Sequence, residues 1–215
     1  MKIAHIDADM LWITPNPEQA IERAGRTCYK SEDKITPTSA AEFVRRMVDS
    51  GHHAMIEHAC ASMHFVCDRG VTHELVRHRL VSYAQESTRY CNYGKDKFGI
   101  YGLTFIQPPD LKEPYCDGTQ SETDIWRAAC MDAEYNYLKL IREGVKPQIA
   151  RSVLPISLKT EIVATCNLRQ WRLMFSLRTS SKAHPQIRKM MLIAGRILKA
   201  QAPNVFYDFD FEVEV

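Results

Sequence analysis

Residues 77–90 read RHRLVSYAQESTRY, which places three Arg, one His and two Ser within fourteen residues. Neither Pro nor Gly interrupts its second half, which predicts an extended segment over 82–91. Side chains alternate in such a segment, so Gln85, Ser87 and Arg89 would share one face. A Ser hydroxyl beside an Arg guanidinium suits a phosphate group. The stretch therefore predicts an anion-binding strand; the alternative is a solvated basic turn beside an edge strand.

The regions on either side of this stretch alternate between helical and extended patterns. Apolar periodicity and cap residues predict helices over 17–28, 71–79, 121–143, 168–178 and 185–200, and a further helix that begins at a capping box formed by Ser39 and Glu42. Strands are predicted over 2–6, 59–67, 103–107 and 158–166. Because no repeat or linker divides the chain, we expect one mixed α+β domain over residues 1–215.

The helix predicted over 121–143 and the loop before it complete this outline. The helix carries one apolar stripe, expected to face the core, formed by Ile125, Ala128, Met131, Tyr135, Leu138 and Ile141. The segment 92–119 is rich in Gly and Pro and predicts a loop region to which the sequence assigns no role.

Composition narrows the class of protein. Hydrophobic residues make up 45% of the chain and charged residues 25%, as in folded globular proteins. The net charge of +2 and the pI near 8.1 are too low to favour a nucleic-acid-binding protein. Seven cysteines without a C-x-x-C pair disfavour a disulfide framework or a structural zinc site. No segment resembles a signal peptide or a membrane span, so a cytoplasmic location without membrane contact is expected.

Two histidine-containing stretches raise the possibility of a metal site. Residues 51–58, GHHAMIEH, contain His and Glu, which can bind metals. A turn whose histidines are hydrogen-bonded is the more common structure for such a stretch. In His73-Glu74-Leu75-Val76-Arg77-His78, the histidines are five residues apart, so a helix would point them in different directions, and zinc is rejected. Neither a G-x-G-x-x-G nor a P-loop motif is present, so a dinucleotide would not bind at a Rossmann-type phosphate site. We therefore expect no metal.

Arginines at both ends of the helix predicted over 168–178 form another candidate group. Arg169 and Arg178 are nine residues apart, so an unbroken helix points them about 180° away from each other. Asn167 is placed to cap this helix. Arg151 precedes a Leu-Pro pair and is a further candidate for anion binding. The alternative is that these are unrelated surface arginines.

The signature in 77–90 resembles that of the flavin-dependent thymidylate synthases. That family carries R-H-R, seven further residues, a Ser, and an Arg two residues later, and every position matches here. A His followed five residues later by Glu-His also matches, at His52, Glu57 and His58, and in the family that loop lies beside flavin and folate. The resemblance extends from about His52 to Arg178 and implies an antiparallel sheet flanked by helices, as in thymidylate synthase-complementing proteins.

The resemblance also implies an activity and its ligands. It implies a methyltransferase that converts dUMP to dTMP, with FAD as redox cofactor, NADPH as reductant and methylenetetrahydrofolate as carbon donor. A homotetramer with active sites shared between subunits is expected, in agreement with the opposed directions of Arg169 and Arg178. Nucleic acid is not expected as a partner. The alternatives are a nucleic-acid-binding module that uses the R-H-R segment, and a flavin or nucleotide oxidoreductase with another substrate.

Residue roles are implied in the same way. Arg178 would be catalytic, through charge stabilisation on uracil, and His52 would lie near folate and flavin. The residues implied for dUMP are Glu74, Leu75, Val76, Arg77, Gln85, Glu86, Ser87, Thr88, Arg89, Arg151 and Arg178. Those implied for FAD are Ala54, Arg77, His78, Arg79, Gln85, Asn167, Leu168, Arg169 and Leu173. The chain departs from positions common in the family at Ala54, Ala84, Gln85, Leu173 and Lys182.

Overall fold

The computed structural model of this chain describes residues 1–95, 102–112 and 119–212. Its strands are β1 (Lys2–Ala4), β2 (Asp7–Ile13), β3 (Cys60–Asp68), β4 (Ser82–Gln85), β5 (Thr104–Ile106) and β6 (Lys159–Asn167). Its α-helices are α1 (Pro17–Tyr29), α2 (Ser39–Asp49), α3 (Arg69–Leu75), α4 (Glu122–Arg142), α5 (Pro147–Ala150), α6 (Leu168–Arg178) and α7 (Pro185–Gln201). Short 3-10 helices cover Glu32–Lys34, His53–His58 and Arg151–Val153.

The strands form two sheets. The larger sheet has the order β2-β3-β6-β4, and the predicted antiparallel sheet flanked by helices is confirmed. The smaller sheet pairs β1 with β5 in parallel, with Ile3 opposite Phe105. The connections between neighbours in the larger sheet carry helices, which is how the apolar faces of its strands are covered.

The chain divides into two compact units, and the first comprises Met1–Ile6, Val66–His73 and Gln85–Ile162. Its core is built from Tyr93, Leu103, Phe105, Cys130, Tyr137, Ala150 and Leu158. Gly102 has a positive φ of 93°, and a Cβ there would lie 2.0 Å from a carboxylate oxygen of Glu134. The Glu134 carboxylate accepts a hydrogen bond from the Leu103 N–H and pairs with the N-terminal ammonium group. A glycine is therefore required where the chain enters β5.

The second unit comprises Asp7–Phe65, Glu74–Ala84 and Val163–Val215. Trp171 of α6 is fully buried, lies 5.8 Å from the ring of Phe175, and donates its indole N–H to the Ala61 carbonyl. Phe175 in turn contacts Phe206, Phe209 and Phe211 of the C-terminal segment. This aromatic cluster fixes α6, the helix that carries Arg169 and Arg178.

The element predictions succeed for most of the chain and fail at particular places. Strand β2 was not predicted. The segment expected to be extended over 82–91 is a strand only to Gln85, after which Tyr90 and Cys91 donate their N–H groups to the Ser87 carbonyl and form a turn. The helix predicted over 71–79 begins at Arg69 and ends at Leu75, because the N–H groups that follow bond three residues back in a tighter turn.

Two details of the helices are also corrected. The predicted capping box at Ser39 is wrong: Thr38 is the N-cap without a side-chain cap, and the Ser39 hydroxyl donates to Glu22. A capping box instead forms at Ser121 and Asp124.

The predicted apolar stripe of α4 does not form one core-facing face. Ile125, Met131 and Tyr135 are 57–58% exposed, whereas Cys130 and Tyr137 are buried.

The loop prediction for 92–119 lies partly outside the described residues, at 96–101 and 113–118. In the described part of the chain, no helix has the length and hydropathy that crossing a bilayer requires.

Candidate functional site

The first group of predicted site residues lies in the first unit, in the turn after β4. Arg151 donates to the hydroxyl of Thr88 at 3.0 Å, and Thr88 is buried. Ser87 is half-buried and its hydroxyl accepts from the N–H of Arg89 at 3.4 Å, while the side chain of Arg89 extends to solvent over the ring of Tyr90. The structure thus brings Arg151 to the Ser87–Arg89 turn, and the three side chains offer a hydroxyl and two cations to an anion.

The neighbouring polar side chains of this turn are directed into the first unit. Gln85 donates to the Thr72 hydroxyl at 3.0 Å, and Glu86 accepts a hydrogen bond from the Tyr93 hydroxyl at 2.7 Å. Lys159 lies 3.8 Å from the second oxygen of Glu86. These contacts engage the side chains of Gln85 and Glu86, two of the residues predicted to bind the nucleotide.

The second group lies in the second unit and centres on Arg178, the last residue of α6. Its guanidinium donates to the Glu74 carboxylate at 2.7 Å, to the Glu74 carbonyl at 3.3 Å and to His78 Nε2 at 3.1 Å. Three bonds of different direction fix the plane of a guanidinium group. The side chain is still 21% exposed, so it remains within reach of a ligand.

His78 is the buried member of the R-H-R tripeptide, with Arg77 and Arg79 exposed on either side. Burial, followed by the positive charge of Arg178, lowers the pKa of His78. The neutral ring is therefore favoured, and because Nε2 accepts from Arg178, its proton resides on Nδ1. Tyr83 supports the same backbone, since its hydroxyl donates to the Leu75 carbonyl at 2.6 Å.

Two cavities in the second unit share Arg169 and are lined by four of the nine residues predicted to bind flavin. A cavity of about 530 Å³ is lined by Asn167, Arg169 and Leu173, together with His53, Glu57, Leu80, Gln170, Arg172, Ser176 and Phe209. One of about 330 Å³ is lined by His52, Ala54 and Arg169, together with Cys28, Tyr29, Gly51, His53 and Met55. Arg169 lines both cavities and pairs with Glu57 at 2.5 Å. A cation beside half-exposed Leu173 and Phe209 fits a ligand with an anionic group and a planar ring.

Not every predicted residue presents its side chain to these groups. Leu75 and Leu168 are fully buried, so either would reach a ligand only through its backbone. Asn167 uses its side-chain oxygen to cap α6, as predicted, by accepting from the Gln170 N–H at 2.8 Å. Tyr29, which bonds to His52 at 3.1 Å, and Phe209 were not anticipated, because nothing in the local sequence places them near the signature.

The buried cysteines of the described residues are not activated as nucleophiles. All six described cysteines are free, and three of them, Cys67, Cys130 and Cys166, are buried. Burial raises the pKa of each of these three thiols, to about 12 for Cys67. A thiol held protonated is a poor nucleophile. Across 1–95, 102–112 and 119–212, no three His, Cys, Asp or Glu side chains cluster as metal ligands would.

The first group of residues offers a hydroxyl and two cations to an anionic ligand. In the second unit, Arg169 lines cavities that suit a ligand with an anionic group and a planar ring. A sequence model of the family described as thymidylate synthase complementing protein matches residues 9–204. The chain therefore belongs to this family. The predicted resemblance is confirmed, and family membership weighs against a nucleic-acid-binding module.

Individual relatives agree with this assignment. The chain is 34% identical to a flavin-dependent thymidylate synthase of Corynebacterium efficiens, over 95% of this chain and 85% of the relative. It is 36% identical to one of Mycolicibacterium vanbaalenii, with the same coverage. A UMP/dUMP methylase, PolB from Streptomyces cacaoi bound with 5-Br dUMP, shares the fold with a TM-score of 0.79 at 23% identity, over 97% of this chain and 96% of that one.

Proposed function

We propose that this protein is a flavin-dependent thymidylate synthase, a methyltransferase that converts dUMP to dTMP. Methylenetetrahydrofolate is the carbon donor, tetrahydrofolate the product, and NADPH the reductant of FAD. Family membership over residues 9–204 and relatives named for this activity support the reaction. Residues 1–215 act as a single domain, since the matched range includes segments of both compact units.

The observation that carries the proposal is the fixed guanidinium of Arg178. Uracil becomes nucleophilic at C5 when negative charge on its N3/O4 edge is stabilised, and a preorganised cation supplies that stabilisation without reorganisation at the moment of reaction. Glu74 and His78 hold Arg178 in one orientation. The neutral state of His78 keeps a second positive charge away from the same edge. Arg178 is therefore the residue that we assign to catalysis.

The Ser87–Arg89 turn and Arg151 bind the phosphate of dUMP. Arg151 is oriented by Thr88 through one N–H, which leaves its other donors for phosphate oxygens. Arg89 is exposed and supplies a second guanidinium group to the phosphate. Glu74, Leu75, Val76, Arg77 and Gln85 complete the residues that we assign to the nucleotide.

FAD binds along the two cavities that Arg169 lines. When bound, it supplies the hydride chemistry that no side chain can. Arg169 offers its guanidinium to the pyrophosphate, Leu173 offers apolar surface to the ring, and Asn167 and Leu168 hold the start of α6 in place. Ala54, Arg77, His78, Arg79 and Gln85 are the further residues assigned to FAD, and His52 lies near flavin and folate.

The decisive experiment is tritium release from [5-³H]dUMP by the purified protein with FAD, NADPH and methylenetetrahydrofolate. We expect release that requires both the folate and the reductant. A yellow protein that binds flavin but releases no tritium would instead be an oxidoreductase of another substrate, and the proposal would be wrong.

We further propose a cytoplasmic homotetramer with active sites shared between subunits. Arg169 and Arg178 contact different partners, Glu57 and Glu74, at opposite ends of α6, and the exposed apolar residues of α4 offer surface to another subunit. Assayed at an FAD concentration that saturates the wild type but not Arg169→Ala, the Arg169→Ala and Arg178→Ala proteins would each release little tritium alone. If sites are shared, refolding the two together restores a fraction of the tritium release, since some sites then receive both arginines. Absence of any restoration in a mixed tetramer would contradict sharing.

A further inference from the structure

Tyr93 is a buried tyrosine of the first unit that the proposed reaction does not use. Its hydroxyl donates a hydrogen bond of 2.7 Å to Oε1 of Glu86, the residue immediately before Ser87. The residue is only 9% exposed. A buried hydroxyl directed at a carboxylate makes one of the stronger hydrogen bonds available in a protein.

Glu86 is held from three directions. Besides Tyr93, its second carboxylate oxygen lies 3.8 Å from the Lys159 ammonium, and its backbone N–H donates to the Glu161 carbonyl at 2.9 Å. The carboxylate is therefore engaged inside the protein and is not available as a direct ligand of an anion, which it would repel. Its effect on a phosphate is exerted through the backbone that it anchors.

Tyr93 itself is well fixed. Its ring lies 6.1 Å from that of Tyr137 on α4, and its N–H donates to the Tyr137 hydroxyl at 3.3 Å. Burial, then the hydrogen bond and charge of Glu86, raise the pKa of Tyr93, so the hydroxyl stays protonated and remains a donor. The Tyr93 hydroxyl thereby connects the core of the first unit to Glu86, at the start of the Ser87–Arg89 turn.

We propose that Tyr93 is a positioning residue for the nucleotide phosphate. By fixing Glu86, it holds the Ser87–Arg89 turn in the conformation that presents Ser87 and Arg89 to the anion. Preorganisation of this kind lowers the cost of ordering the turn on binding. The inference rests on the proposed function, because it takes dUMP as the ligand.

The test compares two tyrosines of the same segment in the full-length, FAD-loaded protein. Tyr93→Phe removes only the hydroxyl that reaches Glu86. Tyr90→Phe is the matched control, because Tyr90 is 79% exposed and its ring contact with Arg89 survives the change. Equilibrium dissociation constants are measured for dUMP and, by competition, for deoxyuridine, which lacks the phosphate.

We expect Tyr93→Phe to weaken dUMP binding roughly tenfold, the scale of one hydrogen bond to a charged group. Deoxyuridine binding stays unchanged, the KM for dUMP rises, and kcat at saturating dUMP is retained. Tyr90→Phe matches the wild type.

Other results would overturn the inference. Unchanged dUMP binding in Tyr93→Phe would show that the hydroxyl does not organise the turn, and equal weakening of dUMP and deoxyuridine would show a general structural role. A wild-type protein that binds no dUMP would instead overturn the proposed function, and this inference with it.

Discussion

The two ends of α6 hold their arginines in contrasting ways. Arg178 at the last turn makes hydrogen bonds to two residues and is 21% exposed. Arg169 in the first turn has one ion pair, with Glu57, in which the two side chains are 51% and 43% exposed. One guanidinium is fixed by the surrounding structure, and the other lines an open cavity.

The contrast indicates how one helix can serve two tasks. A group that stabilises developing charge gains from a fixed orientation, because reorganisation during reaction is costly. A group that captures a flexible cofactor gains from an exposed position, and a partner such as Glu57 costs little to displace because exposed ion pairs are weak. Substitutions at the two arginines and at their partners test this division.

Replacement of the fixed arginine should have the largest effect. Arg178→Ala removes the charge that we assign to uracil activation, and kcat should fall by about 10³-fold, the scale seen when a preorganised electrostatic donor is lost. The midpoint of thermal unfolding should change far less, since the side chain is not part of the core. Tritium release and thermal melts measure the two effects, and normal turnover in the variant would remove the catalytic role.

Replacement of the exposed arginine should act on cofactor binding instead. Arg169→Ala should raise the dissociation constant for FAD by roughly 10- to 100-fold, the value of a charge-assisted hydrogen bond to an anion. At saturating FAD, kcat should be largely retained. Titration of flavin fluorescence measures the binding, and a variant with normal FAD affinity but no turnover would reverse the assignment of the two arginines.

His78, the second partner of Arg178, should make the stability of the protein depend on pH. This effect should be smaller than those of the two arginine substitutions. The pKa of His78 is lower in the folded chain than the usual value of about 6.5. As pH falls, the unfolded chain therefore binds a proton at this residue before the folded chain does. Stability is therefore lost as pH falls below about 6.5. In His78→Gln, the unfolding midpoint should decline less between pH 7.5 and 5.5 than in the wild type. His73→Gln, exposed on α3, is the control; if it flattened the curve equally, His78 would not be the cause.

The smallest effect is expected at the partner of the exposed arginine. Glu57→Gln should change the free energy of unfolding by less than about 1 kcal/mol, because both members of the pair are open to solvent. Urea titration at low and high salt measures this. A larger, salt-independent loss would mean that the pair is fixed in the way that Arg178 is.

The sequence predicts local elements well where their pattern is unambiguous. The strands β3 and β6 and the helix α4 lie within one residue of their predicted ends. Strand β2 is missed because it carries two aspartates and is an edge strand of which only Ala8 is buried, so it lacks a clear alternation. The face of α4 is misassigned because apolar residues lie on more than one side of it, and periodicity does not reveal which side meets a neighbour.

The candidate site was predicted in its residue types and only partly in its arrangement. The signature in 77–90 names the residues, and the structure brings Arg151 to Thr88 and Arg178 to Glu74 and His78. The prediction that Gln85, Ser87 and Arg89 share the face of a strand is wrong, because the strand ends at Gln85 and a turn follows. A turn that is closed by backbone hydrogen bonds does not depend on the pattern of side chains, so the sequence pattern does not distinguish it from a longer strand.

Residues close together in the chain are enough to identify the family, and they predict an anion-binding signature and opposite directions for two arginines on one helix. Local sequence does not reveal that Arg178 is held by two residues while Arg169 makes an exposed ion pair beside a cavity. Arg178 meets a carboxylate 104 residues away and Arg169 one 112 residues away. Burial and partnership at such separations arise from packing, and packing sets the charge, orientation and mobility on which the chemistry depends.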